Sequence, residues 1–93
     1  MEKTVTMEVF IDVHPIPFIS ELTVRIIIDS TVIAILRLTN DKGIIAKMMS
    51  CTLEKGETTL TFNKLSKFAA GEYNLEVRLL NGDEIKRIPL VKK

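Results

Sequence analysis

Leu65-Ser66-Lys67-Phe68-Ala69-Ala70-Gly71-Glu72-Tyr73 is the stretch whose reading decides the fold. Lys64 to Ala70 has room for a single helical turn at most, and a short crossover loop fits it equally well. Gly71-Glu72-Tyr73 then opens a strict alternation. Tyr73, Leu75, Val77 and Leu79 share one face, with Glu72, Asn74, Glu76 and Arg78 on the other. Downstream, Asn81-Gly82 suits a two-residue type I′ turn, and Glu84 to Val91 returns as a further strand.

The same period-2 pattern runs through the upstream half. Val5, Met7, Val9, Ile11 and Val13 outline a first strand, which the two prolines of Pro15-Ile16-Pro17 stop because neither can donate to a ladder. Leu22, Val24, Ile26 and Ile28 mark a second strand, and Val32, Ala34, Leu36 and Leu38 a third. Asn40-Asp41-Lys42-Gly43 is a turn, followed by a fourth strand from Ile44 to about Ser50. Lys55-Gly56-Glu57 separates it from a fifth, Thr58 to Phe62. No stretch sustains a helical period for three turns. About seven short strands with regular turns predict an all-β, immunoglobulin-like β-sandwich of antiparallel strands, with Tyr73 anchoring the corner between sheets through its hydroxyl.

Ninety-three residues make one domain, and an apolar fraction of 46% is ample for a core. There is no Trp and one Tyr, so the core must come from Ile, Val and Leu, which favour strands. Net charge is only +1, with acid in excess in the first half and base in the second. A near-neutral domain is not a nucleic-acid binder by charge. After Glu84 no acidic residue remains, while Lys86, Arg87, Lys92 and Lys93 follow, giving a basic end. By composition alone that end is a solubilising, frayed terminus. Cys51 stands alone, so no internal disulfide can form. That suits a reducing compartment, or an exported protein from a lineage that does without disulfides. Residues 1–6 contain no signal-peptide core and read as an upstream linker remnant or an expression start.

Catalytic chemistry is sparse. His14 is the single histidine, between Val13 and Pro15 at a strand end, where a solvent-facing loop residue is expected. Cys51 has no neighbouring cation to lower its pKa. One His and one Cys cannot complete a zinc site without carboxylates, and Asp12, Asp29 and Asp41 fit strand ends and turns. The glycines are scattered, so no loop cradles phosphate. The chain is therefore expected to be no enzyme and to take no cofactor or metal. Sugar binding is weak too, for want of flat aromatic platforms. Ile27, Ile33 and Ile35 fall on nominally outer faces, either covered by edges and loops or forming an apolar docking patch that permits a homodimer.

The order of these features resembles the C-terminal sorting domain of proteins exported by the type IX secretion system of Bacteroidetes. That family opens with a strand into Pro-Asn-Pro-Phe, matched by Pro15-Ile16-Pro17-Phe18. It continues with an apolar strand into an Asp-x-x-Gly turn, here Leu36 to Gly43, and a Lys-Gly step at Lys55-Gly56. A Leu-x-x-Leu-x-x-Gly-x-Tyr corner follows at Leu65 to Tyr73, then a closing hairpin and Leu90-Val91-Lys92-Lys93. The likeness covers residues 7–93. Ile16 replaces the usual Asn, Asn40 the usual Asp, and Glu72 and Asn74 are more polar than the residues that usually flank the tyrosine.

The resemblance implies an export address carried by a larger cargo protein. Such a domain directs its cargo from the periplasm through the outer-membrane translocon, after which a surface sortase can remove it, leaving the cargo at the cell surface or secreted. The partners implied are that translocon, the sortase and the covalently linked cargo. The recognition surface would draw on Pro15, Pro17, Phe18, Gly71, Tyr73, Lys86, Arg87, Leu90, Val91, Lys92 and Lys93. The alternative is an immunoglobulin-like accessory or interaction module of an extracellular enzyme or adhesin.

Overall fold

The computed structural model describes residues 9–80 and 84–93. Val5 and Met7 of the expected first strand, residues 1–6 and the Asn81-Gly82 turn lie outside the described residues. The described residues form seven strands: β1 Val9–His14, β2 Leu22–Ile28, β3 Val32–Asn40, β4 Ile45–Leu53, β5 Gly56–Phe62, β6 Gly71–Leu79 and β7 Glu84–Lys92. They form a three-stranded sheet ordered β1-β2-β5 and a four-stranded sheet ordered β4-β3-β6-β7. Every pairing within the sheets is antiparallel. This is the sandwich that the alternation predicts, with the fourth strand lying beside the third.

Alternation builds the core directly. Leu22, Val24, Ile26 and Ile28 of β2 meet Val32, Ala34, Leu36 and Leu38 of β3 and Tyr73, Leu75, Val77 and Leu79 of β6, all buried. Their neighbours along each strand turn outward, so Ile27 and Ile33 are exposed and Ile35 is half-buried on the outer faces. Segment 63–70 is the crossover loop and not a helical turn. It carries the chain from β5 in one sheet to β6 in the other, and buried Leu65 holds its middle to the core.

The largest departures from the expected strand bounds are at β4 and β5. β4 continues past Ser50 to Leu53, because Leu53 pairs with Val32 and is fully buried. β5 begins at Gly56, since Glu54 and Lys55 suffice to cross between sheets and Gly56 adopts a φ of 106° that an L side chain rarely accepts. β4 also carries a bulge: Leu38 pairs with Lys47 and Thr39 with Ile45, leaving Ala46 as the extra residue. Lys47 consequently shares the core-facing side of β4 with Met49, Cys51 and Leu53, and its Nζ donates to the Asn63 carbonyl at 2.7 Å.

The hydrogen-bond phase of the larger sheet follows from one bond. The Leu80 amide donates to the Ile33 carbonyl at 3.0 Å, so Ile33, Ile35, Arg37 and Thr39 direct their main-chain groups at β6. Ala34, Leu36 and Leu38 therefore direct theirs at Cys51, Met49 and Lys47 of β4. Likewise Tyr73, Leu75 and Val77 bond Leu90, Ile88 and Lys86 of β7.

Candidate recognition site at one end of the sandwich

Three segments far apart in sequence meet at one end of the molecule: the proline loop between β1 and β2, the crossover loop, and the last residues of β7. Phe18 joins them. Its side chain is fully buried, packed edge-on against Tyr73 with ring centres 5.7 Å apart and planes 70° apart. Its amide donates to the Val91 carbonyl at 2.9 Å, and its carbonyl accepts from the Lys93 amide at 2.9 Å. Phe18 thus forms a one-residue parallel bridge with Lys92. Pro15, Ile16 and Pro17 are exposed on the loop leading to it, and the His14–Pro15 and Ile16–Pro17 peptide bonds are cis.

The corner fixes the other side of this junction. The Tyr73 hydroxyl donates to the Ala69 carbonyl at 2.6 Å, tying the start of β6 to the crossover loop four residues back. The Leu65 amide donates to the Ser20 carbonyl at 3.0 Å, tying the crossover to the proline loop. Gly71, at φ 143°, turns the chain into β6 opposite Lys92. An added Cβ would meet nothing there within 4 Å, so it is the backbone angle and not crowding that calls for glycine.

β7 alternates, and the consequences differ residue by residue. Leu90 and Lys92 point inward and are buried, Lys92 at only 5% exposure, with its Nζ donating to the Lys93 main-chain oxygen at 2.9 Å. Val91 and Lys93 are exposed. The frayed basic end expected from composition is therefore corrected: it is paired on both sides, by Gly71 of β6 and by Phe18, and one of its two lysines is an interior residue. The signal for this lay in the sequence, because Ile88, Leu90 and Lys92 share one phase of the alternation.

Lys86 and Arg87 do not join this cluster. They lie opposite Val77 and Glu76, roughly 20 Å along the strand from Lys92 at the usual rise. Arg87 Nε sits 3.0 Å from Glu76 Oε2, and Arg37 Nη1 lies 4.0 Å from Glu76 Oε1, so Arg87 belongs to a charge ladder on the outer face. Beside the cluster, a shallow groove of about 380 Å³ runs along Pro89 and Val91 and is bordered by the carboxylates of Asp41 and Glu72. The surface around the junction is mixed in charge, not basic.

Elsewhere the reactive residue types stand apart. His14 is exposed on the outer face of the three-stranded sheet, Nδ1 3.6 Å from Asp12 Oδ2, beside the Arg25–Asp12 and Arg25–Glu57 pairs at 3.9 and 3.5 Å. Cys51 is half-buried on the inner side of β4, and burial pushes its thiol pKa up, away from the thiolate a nucleophile needs. Among the described residues, no three His, Cys, Asp or Glu side chains gather into a metal-binding group.

No family model matches the chain, and no curated protein matches it. Among solved structures it is similar to a selenomethionine-labelled β-glucosidase from Kluyveromyces marxianus, with a TM-score of 0.46 and 14% identity. The match covers 95% of this chain and 15% of that one.

Proposed function

We propose that the domain is a folded recognition module serving as an export address of the type IX kind, read by an outer-membrane translocon while attached to a larger cargo. The observation that carries it is the junction itself. The proline loop, the Leu65–Tyr73 corner and Leu90–Lys93, three of the segments that carry the resemblance, are joined into one surface by Phe18 and Tyr73. A partner meeting that surface finds its epitope already ordered, which lowers the entropic cost of binding. The side chains available to be read are Pro15, Ile16, Pro17, Val91 and Lys93. Phe18, Tyr73, Leu90 and Lys92 hold them in place from inside.

This division of labour selects the experiment. Deleting Leu90 to Lys93 would remove buried residues and the strand pairing with Gly71 and Phe18, confounding recognition with folding. The Val91→Asp/Lys93→Glu double variant alters exposed side chains and leaves the backbone pairing available. Residues 7–93 fused to a periplasmic reporter in a type IX-competent bacterium should carry the reporter to the surface or medium, and the double variant should leave it in the periplasm. A reporter retained in the periplasm by the unaltered, folded domain rejects the export address.

The second reading is an immunoglobulin-like accessory or interaction module of a larger extracellular protein. The exposed apolar residues Ile33 and Leu80 on the outer face favour it. Secretion of the parent protein untouched by the Val91→Asp/Lys93→Glu change would select it.

A further inference from the structure

β4 is an edge of the four-stranded sheet, and its bonding phase leaves the amides and carbonyls of Met48, Ser50 and Thr52 directed away from β3. Natural edges are blunted by charges, prolines or bulges. Here the Ala46 bulge and the inward Lys47 guard only the first residues of the strand. From Met48 to Leu53 there is neither a charge nor a proline. On the outer face beside this stretch, Leu80, Ile33 and Thr52 border an apolar hollow of about 310 Å³. Met48 projects from the same face and is 58% exposed.

We infer that β4 pairs antiparallel with β4 of a second copy of this chain, about a two-fold axis through Ser50. In that register Ser50 faces its own copy and Met48 faces Thr52 of the partner subunit, so the outward groups form about six backbone hydrogen bonds. Met48 of the partner subunit extends the row Leu80, Ile33, Thr52, and its flexible thioether chain leans over the hollow. The axis repeats the same seat on the other copy, as an isologous contact requires. Lys47 falls opposite Leu53 of the partner subunit, so no like charges oppose each other. A projecting residue and a hollow matched in register on one strand edge identify a second copy as the occupant. The contact is a single strand pair with one side chain seated on each side, so the dimer is expected to be reversible and concentration-dependent. It is independent of what the Phe18 end of the molecule binds.

Sedimentation of the chain across micromolar concentrations tests this. The wild-type chain should shift from monomer to dimer with concentration. Ser50→Lys should raise the dissociation constant by about tenfold or more by opposing like charges at the axis, with no change in monomer melting. Ser50→Pro should likewise weaken the dimer by removing the central outward amide, which β3 does not use, at a small cost in monomer stability. Met49 and Cys51 of the partner subunit would face each other as a non-hydrogen-bonded pair with Cα atoms about 4.5 Å apart, so oxidising Met49→Cys should yield a covalent dimer. Wild-type Cys51 should not cross-link. A wild-type chain monomeric throughout, which would leave the edge to some other extended segment, overturns the inference. So does a dimer that both Ser50 variants leave intact, or a cross-link through wild-type Cys51.

Discussion

The two edges of the four-stranded sheet are finished in opposite ways. On β7 the outward positions are Ile85, Arg87, Pro89, Val91 and Lys93. Pro89 has no amide to offer, the Val91 carbonyl and Lys93 amide are taken by Phe18, and Arg87 adds a charge. The proline costs the sheet nothing, because its missing donor points away from β6. Among the described residues, the outward groups of Met48, Ser50 and Thr52 on β4 meet none of these devices. One edge is closed by the molecule's own loop at the surface proposed for recognition. The other is left able to take a strand.

Breaking the closed edge should have the largest effect. Phe18→Ala removes a fully buried ring and the packing of Tyr73, and should cost about 3–5 kcal/mol in chemical denaturation. The phase of β4 can be probed by moving one proline along it. Met49→Pro removes an amide that bonds Leu36 and should cost about 3 kcal/mol, whereas Ser50→Pro should cost about 1 kcal/mol or less. Equal losses at the two positions would contradict the assignment of outward groups. Gly71→Ala forces an L side chain into φ 143° and should cost about 1–3 kcal/mol in thermal melts, with the junction around Lys92 loosened most. Tyr73→Phe keeps the ring against Phe18 but loses the hydroxyl bond to Ala69, for about 1 kcal/mol. The smallest effect is kinetic: alkylation of Cys51 at neutral pH should be slower in the folded chain than in the denatured one, since burial raises its thiol pKa. The same shift stabilises the folded chain only while the thiol is protonated, so its contribution fades as pH rises above the ordinary thiol range.

Much of the fold was legible because alternation is a local signal. β2, β3 and β6 could be read from residues spaced by two, and Tyr73 marked its own corner. What escaped was non-local or out of phase. The bulge at Ala46 depends on how β4 registers against β3, and nothing in Ile44-Ile45-Ala46-Lys47 marks which residue is extra. The sequence marks Lys55-Gly56-Glu57 as a separator, but that the chain changes sheets there depends on which strands pair, which no local pattern carries. At the candidate site, Pro15 to Phe18 and Leu90 to Lys93 could be singled out separately, but their joining through Phe18 spans most of the chain. Lys92 was misjudged for a different reason: charge argued for the surface, and its phase with Leu90 argued for the interior. The phase prevailed because the aliphatic stem can be buried while the ammonium still finds an acceptor, here the Lys93 main-chain oxygen.

Amide hydrogen exchange followed by NMR at a concentration low enough to keep the chain monomeric measures both edges at once. The Phe18 and Lys93 amides, one bonded to Val91 and the other to Phe18, should be protected, while those of Ser50 and Thr52 exchange freely. Phe18 and Lys93 exchanging as fast as Ser50 and Thr52 would mean that the end of β7 is not closed, and the ordered recognition surface would not exist.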